Sequence, residues 1–394
     1  MIHVFIGTKA QYIKMAPLLR RMDGEQVEYR LIDSGQHSGL AAALRGELGL
    51  REPDVRLGTE RDVVSIPQAL VWTLGLLLRL VSRSRLREGV FGGHDGVCVV
   101  HGDTPSTLLS AWMAKRAGMD VAHVEAGLRT FRWLHPFPEE IVRVLVSRVA
   151  DIHFAPGPVA AANLRNASVR GRVLEQPANT VLESVSEALG AQWEALERRY
   201  DRACSDAGTQ GETDRGAAGD AAGRRRSGSD AGTAGNPVVV TMHRVENLYR
   251  RSRNRALVDA VAGLAANWPV RWVVHGPTEK VLAGGARQRL GDAGVELVPL
   301  QAYRPFLSSL AAAPFVITDG GSIQEECALL GVPTLVWRDR TDRQDGLGDN
   351  VVLSHYDPAI VAEFLNDPQR YRRRPRPLAF SPSEQILDVL DGWR

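Results

Sequence analysis

The sequence predicts an α/β protein built from two doubly wound, parallel-sheet domains, and three observations carry that reading. At 394 residues the chain exceeds a single typical core. Short β-branched runs alternate with helical patterns, and strands separated by crossover helices imply parallel sheets covered on both faces. Between Tyr200 and Asn236 a stretch without aromatic or large aliphatic residues interrupts the alternation.

In the first half, HVFIG (3–7) reads as a strand and Gln11 to Met22 as a helix. VEYRLID (27–33) is the next strand, followed by a helix over Ser38 to Leu48 and a long apolar helix over 66–81. VCVVHGD (97–103), DVAHVEAG (120–127) and DIHFAP (151–156) continue the strands, with helices over Ser106 to Ala117 and Pro138 to Val149 between them. The polar stretch, which includes Arg224–Arg226, cannot bury enough apolar surface to offset the entropy of ordering, so a disordered insertion is expected over 200–236. Beyond it the grammar repeats. PVVVTMH (237–243), RWVVHG (271–276), VELVPL (295–300), FVITDGG (315–321) and PTLVWRD (333–339) read as strands. Helices follow over Ser252–Ala266, Tyr303–Ala313, Ser322–Leu330 and Pro358–Leu365. A last helix opens with a capping-box pattern at Ser381 and Glu384. The expected domains are therefore 1–180 and 237–370, with the helix of 381–394 outside the second. Two such domains facing each other would put their strand ends on a shared cleft.

Composition narrows the function classes. A formal net charge of +2 gives no nucleic-acid footprint. Cys98, Cys204 and Cys327 are too few and too scattered for a disulfide framework or a zinc site, so the cytoplasm is the expected compartment. The N-terminus begins as a strand and lacks the layout of a signal peptide. Pro67 and Arg79 shorten the apolar run of 66–81 well below the ~20 residues a membrane span needs, so a buried or interface helix is expected.

The chemistry gathers between His101 and Arg143. Asp103, Glu125 and Glu139 fall in or near the ends of apolar runs, where carboxylates of an open α/β sheet meet a ligand and can move protons. Singly, each reads equally well as an N-cap or a solvated loop residue; three in one unit favour a site. Glu139 and Arg143, four apart, suit an ion pair on one helix face. DGGSIQEE (319–326) sets a glycine turn, Gly320 and Gly321, before a helix starting near Ser322, an anion site suited to a diphosphate. Glu326 on that helix suits ribose hydroxyls. His243 ends a strand, placed to protonate a departing phosphate oxygen or to be an ordinary core histidine. Arg338, Arg340 and Arg343 are phosphate partners or solvated charges. Lys9 and Lys14 flank the first strand–helix turn, where a phosphate or uracil would dock. No histidine spacing indicates a metal.

Taken together, GTKAQYIKMAP (7–17), SGQHS (34–38), HGDT, HVEAGLRT, FPEE with Arg143, PANTV (177–181), MHRVEN, DGGSIQEE and GVPTLVWRDRTDR resemble the non-hydrolysing UDP-N-acetylglucosamine 2-epimerases. The resemblance spans nearly the whole chain outside 200–236. It implies two Rossmann-like domains of the glycosyltransferase-B type with a C-terminal helix returning to the first. It also implies a cytoplasmic homodimer acting on UDP-GlcNAc to supply UDP-ManNAc for surface polysaccharides. A base removes the C2 proton as the C1–O bond to UDP breaks, and UDP adds back with a proton delivered to the opposite face. Asp103, Glu125 and Glu139 match the family's acid/base positions and His243 its leaving-group histidine. Lys14, Gln36, Glu326 and Arg343 match nucleotide-contacting positions. No nicotinamide or metal cofactor, nucleic acid or membrane span is implied.

The sequence departs from the family at three turns. Gly-Thr-Arg-Pro-Glu is Gly-Thr-Lys-Ala-Gln here, placing Lys9 for an active-site arginine and Gln11 for an acid. Asp-Ser-Gly-Gly is Asp-Gly-Gly-Ser, moving the hydroxyl to Ser322. After Arg343, Pro-Glu is Gln344-Asp345, followed by GLGDNVV (346–352). These changes keep two alternatives open: a glycosyltransferase of the same architecture, and a hydrolysing epimerase that releases UDP and free ManNAc.

Overall fold

A computed structural model describes residues 1–36, 38–58, 66–133, 136–213, 235–248, 250–282 and 284–393. The chain divides into two compact units, Met1–Ser184 with Leu378–Arg394, and Val185–Pro377.

Unit 1 begins β1 (Ile2–Ile6), α1 (Lys9–Gly24), β2 (Tyr29–Asp33), α2 (Ser38–Leu48), β3 (Val55–Arg56), α3 (Ile66–Arg79) and α4 (Arg83–Gly89). It continues β4 (Val97–His101), α5 (Pro105–Ala117), β5 (Asp120–Val124), α6 (Glu139–Val149), β6 (Ile152–Pro156), α7 (Gly157–Asn166), β7 (Arg172–Gln176) and α8 (Thr180–Leu189), the helix in which the unit ends. The seven strands form one parallel sheet in the order β3-β2-β1-β4-β5-β6-β7. Every residue of β1 and β4 is buried, as a sheet covered on both faces requires. Phe91, Met113 and Val146 pack on one face.

Capping residues place the helices that matter. Thr8 caps α1 reciprocally with Gln11, and Thr104 caps α5 ahead of Pro105. The last helix of the chain, which begins at Pro382 and is capped by Ser381, packs on α1. Glu183 accepts from Ser383 N at 2.9 Å and from Ser383 Oγ at 2.7 Å, and Arg21 donates to Ser381 Oγ at 3.1 Å.

Unit 2 opens with α9 (Gln192–Thr213), β8 (Val238–Met242), α10 (Val245–Leu248), α11 (Arg251–Leu264), β9 (Val270–Val274), α12 (Gly276–Val281) and α13 (Gly285–Asp292). Then come β10 (Glu296–Pro299), α14 (Tyr303–Ala312), β11 (Val316–Thr318), α15 (Gly321–Leu330), β12 (Thr334–Val336), β13 (Val351–Leu353) and α16 (Pro358–Asn366); the last helix of unit 1 is α17 (Pro382–Asp391). The six strands are parallel, in the order β10-β9-β8-β11-β12-β13. Trp272, Phe315 and Phe364 fill the core; Phe315 meets Phe364 edge-on, with ring centroids 5.8 Å apart. Fully burying a side chain of this class contributes roughly 1.5–3 kcal/mol.

The structure extends and corrects the expected elements. Residues 200–213, assigned to the disordered insertion, continue α9; the helix-forming run QWEALERRYDRA, rooted at the buried Trp193, reaches into the first of them. The remainder of that insertion, 214–234 with Arg224–Arg226, lies outside the described residues. The strand expected to reach Gly321 ends at Thr318, where the chain turns into α15. The GLGDNVV segment supplies β13, an edge strand paired with β12. Among the described residues no helix is long and apolar enough to cross a membrane.

Candidate active site

In both sheets the strand order reverses beside the first strand, and an open α/β sheet leaves a ligand crevice at the carboxyl ends of the strands there. In unit 1 this point lies between β1 and β4, whose following turns are tied by the buried Gln11. Its Oε1 accepts from Gly7 N at 2.7 Å and Thr8 N at 3.0 Å. Its Nε2 donates to His101 O at 2.7 Å, near Thr107 Oγ1 at 3.0 Å and Thr104 Oγ1 at 3.2 Å. A glutamate here would accept from the two N–H groups but could not donate to the carbonyl. The amide joins both turns, giving the replaced family acid a structural account.

Asp103, half-buried just after β4, receives Arg143 at one oxygen: Nε at 2.9 Å and Nη2 at 2.5 Å from Oδ2. Arg143 reaches across from α6 and also meets Glu140 Oε2 at 3.4 Å. Glu140 is fully buried; its Oε1 accepts from Arg129 Nε at 2.7 Å and its Oε2 from Thr130 N at 3.1 Å. Arg143 thus pairs with Asp103 and with Glu140, the second acid of FPEE. The i, i+3 spacing of Glu140 and Arg143 is the sequence signal for this pair, beside the i, i+4 spacing of Glu139. Glu139 opens α6 half-buried, in the first turn, where the helix dipole favours a carboxylate.

Glu125 follows β5 with a positive φ of 65°, a left-handed backbone uncommon for a residue with a Cβ. Its carboxylate is buried, and Lys14 Nζ from α1 lies 2.5 Å from Oε2. Asn179 Nδ2 donates to the same oxygen. His101 Nε2 stands 3.9 Å away. Burial drives the His101 pKa down to about 3 against the opposing pull of the Glu125 carboxylate, so the ring is neutral. Burial likewise lowers His123 to about 4, while its Nε2 lies 2.8 Å from the Gly102 carbonyl. Lys9, the first residue of α1, and Gln36, beyond β2, are both half-buried.

Unit 2 repeats the arrangement at β8 and β11. Asp319, wholly buried after β11, accepts from His243 N at 3.1 Å, Arg244 N at 3.0 Å and Asn247 Nδ2 at 3.0 Å. His243 Nδ1 lies 3.1 Å from its Oδ1. Burial alone would raise this carboxyl, but His243, Asn247 and Arg244 outweigh it and hold the group far below the usual carboxylate range. The His243 side chain is 40% exposed, so its far edge is open to a ligand.

Gly320 precedes α15 with no side-chain cap, leaving first-turn N–H groups and the helix dipole to act on an anion. Both glycines are closely approached: a Cβ at Gly320 would sit 3.1 Å from His243 Cε1, and one at Gly321 3.2 Å from Arg343 Nε, so either side chain would have to give by a few tenths of an ångström. Ser322 is half-buried in that turn. Arg343 is buried with Nη1 2.8 Å from Glu325 Oε1 and Nε 3.4 Å from Asp342 Oδ2. Arg338 is buried against Asp342 at 3.2 Å, and Arg340 is exposed. Glu326 is buried on α15, with Tyr303 Oη 3.3 Å from Oε1.

Known proteins resemble this chain along most of its length. The UDP-N-acetylglucosamine 2-epimerase of Bacillus subtilis is 27% identical over 93% of this chain and 87% of its own length. That of Campylobacter jejuni is 26% identical over 99% of this chain and 97% of its own. The crystal structure of the Methanocaldococcus jannaschii UDP-GlcNAc 2-epimerase in complex with UDP-GlcNAc and UDP superposes with a TM-score of 0.76 at 23% identity, covering 99% of each chain, and shares the fold. The profile of the family described as UDP-N-acetylglucosamine 2-epimerase matches residues 20–376, and this chain belongs to that family.

Proposed function

We propose that the protein inverts C2 of a UDP-N-acetylhexosamine, interconverting UDP-GlcNAc and UDP-ManNAc by elimination and re-addition of UDP. The observation that carries this reading is the pair of differently held carboxylates in unit 1. Glu125 is buried against Lys14, and Asp103 is half-buried against Arg143, with Glu139 one helical turn before that arginine. Epimerisation handles a proton on each face of one carbon, and two acids in unlike surroundings suit two such tasks.

In the forward direction one of these groups takes the C2 proton, the C2–H electrons form the C1–C2 double bond, and the C1–O pair leaves with UDP. Re-addition returns UDP to C1 and delivers a proton to the opposite face of C2. His243, oriented by Asp319, balances charge on the departing phosphate oxygen. Gly320, Gly321 and Ser322 cradle phosphate with backbone N–H groups, and Glu326 accepts from ribose hydroxyls. Lys9, Gln36 and Arg343 complete the nucleotide contacts. In this account Lys14 and Arg143 act on the carboxylates themselves.

The active form is a homodimer. Supporting this, Leu70, Val71, Leu74, Leu77, Leu78 and Val81, on and just beyond α3, are 38–75% exposed and recur at helical spacing. An apolar stripe of this size belongs at an interface, and a second copy of the chain is its partner.

Incubation with UDP-GlcNAc and no acceptor tests the activity. UDP-ManNAc is the expected product. Free ManNAc with stoichiometric UDP would mean hydrolysis instead, and an untouched substrate despite UDP binding would overturn the proposal.

A further inference from the structure

The PANTV motif has no part in the reaction as written, yet its Asn179 touches the buried carboxylate of Glu125. Asn179 is 3% exposed and immediately precedes α8, where its backbone carbonyl accepts from Leu182 N at 3.1 Å. Its Oδ1 accepts from the Thr180 hydroxyl at 3.4 Å, and the amide nitrogen is directed at Glu125 Oε2. Only the NH2 end can face a carboxylate favourably, so the orientation of the amide is fixed by its partner.

Lys14 and Asn179 converge on one oxygen but do different things. The ammonium is a point charge on a flexible four-carbon stem, so it offsets the cost of burying the carboxylate without fixing its plane. The amide is a planar, directional donor on a short side chain anchored at the start of a helix. The third neighbour, His101, is neutral and buried, and supplies no competing charge.

We infer that Asn179 is a positioning residue for the epimerisation proposed above, holding the Glu125 carboxylate in the orientation from which it exchanges a proton with C2. The inference rests on that reading, and the experiment separates the two. Wild type, Asn179→Ala and Asn179→Asp are each given UDP-GlcNAc in D2O; C2 exchange, KM, UDP affinity and melting temperature are measured between pH 5.5 and 8.5.

For Asn179→Ala the exchange rate should fall about 10- to 100-fold, the share of one buried hydrogen bond to a charged group, with KM and UDP affinity kept. Asn179→Asp keeps the shape but sets a second carboxylate beside Glu125 and Lys14. As pH falls, that pair takes up a proton which then bridges the two carboxylates, so the variant should recover rate relative to wild type toward acid. A role in folding alone would let the rate recover only in step with the melting temperature and the folded fraction. Both variants exchanging at the wild-type rate, or both losing rate only in proportion to lost UDP affinity or folded protein, would overturn the inference. A wild type that exchanges no deuterium at C2 would instead remove the reaction on which the inference stands.

Discussion

His243 Nδ1 lies 3.1 Å from Oδ1 of the wholly buried Asp319, a carboxylate that also accepts the backbone N–H groups of His243 and Arg244. One acid therefore fixes both the strand end that carries the histidine and the histidine ring. Replacing Asp319 by Asn should lower stability by about 2–4 kcal/mol as well as turnover, since an amide turns a donor toward groups that need an acceptor. His243→Ala takes one partner from Asp319 but keeps its backbone and Asn247 bonds, so it should lower the melting temperature less than Asp319→Asn and reduce turnover by about 10²–10⁴. Gly320→Ala, whose Cβ would press on His243 Cε1, should lower turnover without touching Asp319. Melting curves beside turnover numbers check all three.

Arg143 joins two acids, Asp103 at 2.5 Å and the fully buried Glu140 at 3.4 Å. Arg143→Ala leaves Glu140 short of a positive partner and should cost about 3–5 kcal/mol in denaturant unfolding. Arg143→Lys restores charge but not the paired geometry at Asp103, so it should recover most stability and little turnover. Equal recovery of both would contradict the role given to this contact.

Among the described residues four buried histidines, His3, His101, His123 and His153, are held below their ordinary pKa by burial and set an acid limit on stability. Burial lowers His101 to about 3 and His123 to about 4, from an ordinary value of 6.5. The unfolded chain therefore binds protons that the folded chain refuses. Stability is full above about pH 6.5 and falls below it, toward about 4 for His123 and about 3 for His101. Each contributes a slope of about 1.4 kcal/mol per pH unit within its window. Asp319, whose folded pKa is depressed, adds a further loss only below the ordinary carboxylate range. Unfolding midpoints from pH 7.5 to 4.5 should show the decline, and His101→Asn should make it shallower. An unaltered slope in that variant would contradict the assignment.

The stripe on α3 predicts assembly. Leu74→Glu with Leu78→Glu should convert a dimer to a monomer by light scattering without unfolding unit 1, because both side chains are more than half exposed. A wild type that runs as a monomer would contradict the homodimer.

The strands with long β-branched runs, such as VCVVH and VVVTM, were legible because a sheet covered on both faces demands continuous apolar sequence. The two-residue β3 and the edge strands β7 and β13 carry too little apolar pattern to stand out from loops. The start of α9, QWEALERR, carries helix formers that make it legible, whereas its later turns have the glycine-rich composition of the insertion. Asp103, Glu125 and His243 were legible because each stands in or beside a turn after an apolar run. Which residues they pair with was not. Asn179 lies 54 residues from Glu125 and Asp319 lies 76 from His243, distances that only the crossover topology closes.

Proton NMR of the purified protein with UDP-GlcNAc in D2O, without an acceptor, tests the central claim most directly. The account predicts UDP-ManNAc and UDP-GlcNAc both carrying deuterium at C2, and loss of that exchange, with UDP affinity kept, when Asp103, Glu125 or Glu139 is changed to its amide. UDP-GlcNAc retaining its C2 proton while UDP binds, or undiminished exchange in all three amide variants, would contradict it.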